Sequence, residues 1–219
     1  MGKIKISPSL LSVDISNIER DVKKLEHAVD WFHVDVMDGH FVPNISYGVP
    51  VVKGLKKITD VPLDVHLMID NPSKYIEPFI NAGADILTVH IEVDDDILGC
   101  LKKIKEMGKI SGLALNPDTD PEKLIPYLEY TDMVLQMTVF PGFGGQSMVE
   151  DAIKNISVIR GMIGDKLLEV DGGITYENVH ILTREVADVF VSGSGIFKND
   201  DIAEASNKLR ENAVGGQVK

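Results

Sequence analysis

A single (β/α)8 barrel spanning residues 1–219 is the fold that the sequence predicts, on three observations. Eight apolar, strand-like runs recur along the chain. Segments of helical character separate them. The faces of the runs opposite the apolar one carry Ser7, Ser9, His33, Asp35, His66, His90 and Asp171. A doubly wound open sheet, the next best architecture, packs helices on both faces and leaves no place for so many polar side chains along its strands. No linker, low-complexity stretch or charge block divides the 219 residues, a length that one domain with an ample core accommodates.

The runs fall at residues 4–8, 31–37, 63–68, 86–91, 110–115, 132–138, 167–171 and 188–192. Alternate strand residues point the same way, so each run has two faces. In the second, Phe32, Val34 and Val36 oppose His33, Asp35 and Met37. In the third, Leu63, Val65 and Leu67 oppose Asp64, His66 and Met68, and in the seventh Leu168 and Val170 oppose Glu169 and Asp171. Ser16 to Ala28 predicts a helix, with Ile18, Val22, Leu25 and Val29 at helical spacing and Lys and Glu on the other face. Pro72 after Asn71 suits a first helical position, and Thr119-Asp120-Pro121-Glu122 reads as another helix start. The tail from Ala213 to Lys219 is expected to fray.

Composition narrows the function. An apolar share of 44% decides against disorder, and no apolar run is long enough to span a bilayer. Lys3 and Lys5 lead straight into a strand-like segment without the apolar stretch of a secretion signal, which sets a cytoplasmic expectation. The one cysteine, Cys100, cannot form an intramolecular disulfide and is read as a packing residue on a helix. A net charge of −12 argues against nucleic acid or anionic membranes as partners. A phosphorylated metabolite remains compatible, because backbone amides bind phosphate without lysine.

Two features carry chemistry. The polar faces of the second, third and seventh runs offer imidazoles and carboxylates, and two of each converging from separate strands suit a four-ligand divalent cation. Buried unpaired charge is costly, so a purely structural reading of such a set is poor. Glycine clusters follow the last three runs: Pro141-Gly142-Phe143-Gly144-Gly145-Gln146, Gly172-Gly173 and Gly193-Ser194-Gly195. Each precedes a helical segment, so amides and a positive helix end can meet an anion there, and barrels often hold phosphate after strands seven and eight.

The motifs SPSLLS (Ser7 to Ser12), HVDVMDGHFVPN (His33 to Asn44), DVHLM (Asp64 to Met68), MTVFPGFGGQ (Met137 to Gln146), EVDGGI (Glu169 to Ile174) and SGSGIF (Ser192 to Phe197) together closely resemble ribulose-phosphate 3-epimerases. The matches keep family order over nearly the whole chain. The resemblance implies a barrel with one divalent metal per chain, zinc or iron(II) first and manganese or cobalt next, and interconversion of ribulose 5-phosphate and xylulose 5-phosphate. It implies His33, Asp35, His66 and Asp171 as ligands, Asp35 and Asp171 as the acid–base pair, and Ser9 and His66 at the sugar. Met37, Met68 and Met137 would line the reacting carbons, and Gly142, Phe143, Gly144, Gly145, Gly173, Gly193 and Ser194 would surround the phosphate. It also implies a homo-oligomer, a dimer or hexamer.

Phe140, Gln136, Val93 and Gly195 depart from the usual pattern. Gly195 is shared with hexulose-phosphate relatives such as allulose-6-phosphate 3-epimerase, which makes a hexulose 6-phosphate the alternative substrate. A sugar-phosphate-binding barrel without catalysis is the alternative from another class. The epimerase chemistry itself requires removing a proton beside a ketone and returning one to the opposite face, so it calls for two carboxylates and a Lewis acid. His90 is read as a hydrogen-bonded neighbour of the site, Asp64 as orienting a nearby group, and Asp38 and His40 as either capping or contacting substrate. His27 and His180 are read as surface or packing residues.

Overall fold

The computed structural model describes residues 4–184 and 186–217. Its eight strands are β1 (Lys5–Pro8), β2 (Phe32–Met37), β3 (Leu63–Met68), β4 (Ile86–His90), β5 (Ile110–Leu115), β6 (Met133–Met137), β7 (Leu167–Asp171) and β8 (Val189–Ser192). Every one lies within its expected run. All pairings are parallel, running from β2 through β3 in sequence to β8 and on to β1. A single parallel bridge between Ser9 and His33 closes the ring. The α-helices are α1 (Ile18–Leu25), α2 (Val49–Ile58), α3 (Ile76–Ala82), α4 (Ile97–Glu106), α5 (Glu150–Ile163), α6 (Val179–Arg184), α7 (Ser194–Phe197) and α8 (Ile202–Gln217).

Three expected helices differ in detail. The segment from Ser16 to Ala28 is α1 at its centre, preceded by a 3₁₀ turn over Ile15–Asn17 that the Asp14 side chain caps by accepting from Ser16 N at 3.0 Å. Pro72 opens a 3₁₀ turn, Pro72–Lys74, and α3 starts only at Ile76. Asp120 does cap the next segment, accepting from Glu122 N at 2.9 Å, but Pro121–Tyr130 winds as 3₁₀ turns. Pro126 lacks the N–H that an α-helix needs there. The tail expected to fray is helical as far as Gln217, with Ala213 fully buried; the last two residues lie outside the described set.

The main apolar core lies between the outer faces of the strands and the helices, where Phe32, Val34, Leu63, Val65, Leu168 and Phe190 are fully buried. A smaller cluster of Trp31, Ile86, Met133 and Val189 fills the barrel at the amino ends of the strands. Four aspartates brace this end in one repeated geometry. Asp30, Asp85, Asp132 and Asp188 stand just ahead of β2, β4, β6 and β8. Each accepts from a backbone amide of the preceding odd strand: Ile6 at 3.0 Å, Leu63 at 3.2 Å, Ser111 at 3.2 Å and Leu168 at 2.9 Å. Each also pairs with a cation: Arg210, Lys56 with Lys109, Lys105 and Arg160 respectively. With its amino end packed and braced, the barrel leaves its polar residues to the carboxyl end.

Candidate active site

Strands β2, β3 and β7 bring four side chains together. Parallel register sets Asp35 opposite His66, Met37 opposite Met68 and Met137 opposite Asp171. One donor atom from each of His33, Asp35, His66 and Asp171 lies within 4.8 Å of all the others. His33 Nε2 is 3.3 Å from Asp35 Oδ1 and 3.8 Å from Asp171 Oδ2, and His66 Nδ1 is 3.4 Å from Asp35 Oδ1. Both imidazoles are fully buried; Asp171 alone of the four opens partly upward, its side chain 15% exposed.

The outer nitrogens of both rings are engaged. His33 Nδ1 is 2.6 Å from Asp64 Oδ2, the orienting role read for Asp64, and His66 Nε2 is 2.8 Å from His90 Nε2. The inner nitrogens, His33 Nε2 and His66 Nδ1, have no hydrogen-bond partner among the described residues. A buried polar atom left unpaired costs about 1–3 kcal/mol. Two such nitrogens facing two carboxylates make a mixed N and O donor set that fits a divalent cation.

The four groups differ sharply in how firmly they hold protons. Burial disfavours a charge on His33, but Asp64 and Asp35 outweigh it and hold the imidazole well above its usual range. Burial likewise opposes ionisation of Asp35, yet the adjacent His33 keeps its carboxyl far below the usual range. His66 is pushed down to about 4 by burial, and Asp171 is pushed up to about 7 by burial and the charge of Asp35. The repulsion between the two carboxylates is the conflict that a cation between them relieves. Glu169, on the same strand face as Asp171, is one layer deeper: it is fully buried, 3.8 Å from His33 Nδ1, and burial together with the charge of Asp64 pushes its carboxyl well above the usual range.

Above this floor is a cleft of about 530 Å³, counted to its open mouth. Ser9, Met37, Met68 and Met137 line it near Asp35 and Asp171. Gly142, Phe143, Gly144, Gly145, Gly173, Gly193 and Ser194 line the remainder, while His33 and His66 lie beneath. Ser9 Oγ donates to Asp35 Oδ2 at 2.6 Å. The glycine loops pack on one another. Gly173 has φ of 66°, and a Cβ there would stand 2.6 Å from Gln146 O. Gln146 Nε2 in turn donates to the carbonyls of Phe140 and Phe143 at 2.8 and 2.9 Å, folding the loop after β6, and Asn44 Nδ2 ties Gly142 O at 2.7 Å. Only the last glycine cluster runs directly into a helix, the single turn α7; α5 and α6 start later, at Glu150 and Val179.

Two polar residues, one lining the cleft and one beside its glycine loop, escaped the sequence reading. Ser12 lines the cleft, and its Oγ would lie 2.5 Å from a Cβ on Gly193. Lys198 Nζ comes within 3.9 Å of the place that a Cβ on Gly145 would take, setting a cation beside the glycine loop. Ser12 closes the SPSLLS motif and could have been found there; Lys198 reaches the loop after β6 from the segment after β8, two strands away, with no local signal. Asp38 is a cap: its carboxylate accepts from His40 N, Phe41 N and, across to the loop after β3, Asp70 N. Gln136, Phe140, Val93 and Gly195 all lie off the cleft lining. Gly195 offers no added room, since a Cβ there would meet Ile174 O at 2.5 Å.

Comparison with known proteins identifies the family. Residues 5–197 match the model of the ribulose-phosphate 3 epimerase family. The ribulose-phosphate 3-epimerase of Rhodobacter capsulatus is 43% identical over 91% of this chain and 89% of its own length. That of Bacillus subtilis is 40% identical over 94% and 98%, and the chloroplastic ribulose-5-phosphate-3-epimerase of Arabidopsis thaliana is 45% identical over 94% and 76%. Among solved structures, 3-hexulose-6-phosphate synthase from Salmonella typhimurium superposes with a TM-score of 0.75 at 22% identity, covering 97% of this chain and all of its own. KGPDC from Streptococcus mutans gives 0.74 at 15%, covering 97% and 98%. At those identities the structures speak for the barrel alone. The family match runs unbroken from β1 to the end of α7 and so takes in the whole floor and every glycine loop, and with relatives at 40–45% identity it means that the chain belongs to the ribulose-phosphate 3-epimerase family.

Proposed function

We propose that this protein interconverts ribulose 5-phosphate and xylulose 5-phosphate, holding one divalent cation per chain with His33, Asp35, His66 and Asp171. The observation that carries this reading is the convergence of two unpartnered buried nitrogens and two carboxylates at the floor of a glycine-walled cleft. When bound, the cation acts as a Lewis acid that stabilises negative charge on the substrate's enediolate oxygens, an effect worth several kcal/mol. The mixed N and O donors suit zinc or iron(II), with manganese or cobalt also compatible.

The chain's own residues supply the proton transfers. Asp35 and Asp171 come from β2 and β7, so that one can take the proton from carbon 3 while the other returns one to the opposite face. Their environments push their affinities for protons apart, Asp35 far down and Asp171 to about 7, the pattern of a base and an acid in one site. The hydrogen bond from Ser9 fixes the Asp35 carboxylate. Met37, Met68 and Met137 keep water from the reacting carbons without adding charge. The glycine loops, with Ser12, Ser194 and Lys198, hold the phosphate. The positions that pointed to a hexulose lie off the cleft, which favours the five-carbon substrate. Incubation of metal-replete protein with ribulose 5-phosphate in heavy water should place deuterium at carbon 3. The absence of incorporation with both ribulose 5-phosphate and allulose 6-phosphate would refute the enzyme reading, and strong preference for the latter would move the substrate to the hexulose.

A further inference from the structure

The chain of contacts does not stop at His66. His66 Nε2 lies 2.8 Å from His90 Nε2, His90 Nδ1 lies 2.8 Å from Glu92 Oε2, and Glu92 Oε1 accepts from Asn116 N at 2.7 Å and Thr119 Oγ1 at 2.5 Å. The imidazole rings are 24° from coplanar with centroids 4.9 Å apart. Nitrogens so much closer than the centroids mean that the rings meet edge to edge, the geometry of an N–H···N bond. Both rings are fully buried, and Phe41 lies against His90 at a centroid distance of 4.8 Å.

We infer that His90 and Glu92 are positioning residues that fix the tautomer of His66. An ionised carboxylate only accepts hydrogen bonds, so the Nδ1 of His90 carries a proton directed at Glu92. A neutral His90 then has a bare Nε2, and the proton shared by the two rings sits on His66 Nε2. That leaves the lone pair of His66 on Nδ1, the nitrogen without a partner at the cation site. The polarity of the relay is set at its far end, where two donors converge on Glu92 Oε1. His33 Nδ1 meets its own carboxylate, Asp64, directly. The role in metal ligation rests on the four-ligand reading above; the tautomer does not.

The isosteric change Glu92→Gln reverses the relay. Asn116 N and Thr119 Oγ1 claim the amide oxygen, so the amide NH₂ faces His90 Nδ1 and donates to it. His90 must then donate from Nε2, and His66 is left with its proton on Nδ1, against the cation. Two measurements test this. In metal-free wild-type protein at about pH 8, well above the ordinary imidazole value of about 6.5, nitrogen NMR of ¹⁵N-histidine-labelled protein should show His66 protonated on Nε2 and His90 on Nδ1. Glu92→Gln should exchange both assignments, keep the melting behaviour of the barrel, and weaken zinc binding in a competition titration by about 10–100-fold, the scale for a partner that orients a metal-bound histidine. Wild-type His66 protonated on Nδ1, or a folded Glu92→Gln protein that binds zinc as tightly as wild type, overturns the inference. Should the variant not fold, the wild-type tautomers decide alone. Should wild type bind no zinc yet show the stated tautomers, the relay stands and the four-ligand reading fails.

Discussion

Asp171 has two duties in the proposed site, ligation and proton transfer, and its position at the very end of β7 lets one carboxylate face both floor and cleft. Asparagine there keeps the shape and one oxygen ligand but cannot accept the proton. Asp171→Asn is therefore expected to lower kcat by about 10²-fold or more, the scale of a lost general acid or base. Affinity for inorganic phosphate should stay near wild type, because the glycine loops are untouched. Metal content must be measured on the same samples; a variant that keeps both its metal and near-normal turnover would reduce Asp171 to a ligand. At this scale legibility followed distance along the chain. His33, Asp35 and His66 share strands with apolar partners, so alternation exposes them, and their motifs stand intact. The relay through Glu92 and the approach of Lys198 depend on which strands and loops become neighbours, and no local spacing encodes that.

The same division holds for elements. All eight strands lie within their apolar runs because a short run with apolar residues on one face is a local property. The Pro121–Tyr130 segment keeps its cap yet winds as 3₁₀, since one interior proline outweighs an adequate helix start. The fourfold aspartate brace went unread because an aspartate before a strand looks like any turn residue until the neighbouring strand is known. Asp85 shows what the brace contributes. Burial opposes its charge, but hydrogen bonds from Lys56 and Lys109 prevail and hold its carboxyl below the usual range. With the folded-state value below the unfolded one, near 3.9, its stabilisation is present above about that pH and is lost as pH falls through the folded value. Asp85→Asn should cost about 1–2 kcal/mol in urea unfolding at neutral pH, the range for a partly exposed hydrogen-bonded pair. The deficit should close as acid protonates the wild-type carboxyl. A deficit that is unchanged at low pH would assign the loss to packing instead.

Across the whole molecule, strand pairing runs the long way round, and β1 and β2 meet through one bridge. In the proposed site, ligands from β2 and β3 face one from β7, so a bound cation would link strands across the barrel rather than along the sheet. Its removal should also restore the repulsion from Asp35 that, after burial, helps drive Asp171 up to about 7. Both effects point the same way. A cation that binds only the folded chain adds about 2.7 kcal/mol at a hundred times its Kd. For a chain of this size, each kcal/mol moves Tm by about 2–4 °C. Stripping the protein with a chelator should thus lower Tm by roughly 5–10 °C, and readdition of zinc or iron(II) should recover it. The shift should shrink in His66→Ala, which retains three of the four ligands, and magnesium, which prefers oxygen donors, should restore little. Coincident melting curves for stripped and reloaded wild type, with about one ion per chain verified by elemental analysis, would mean that the ion sits outside this cross-barrel set.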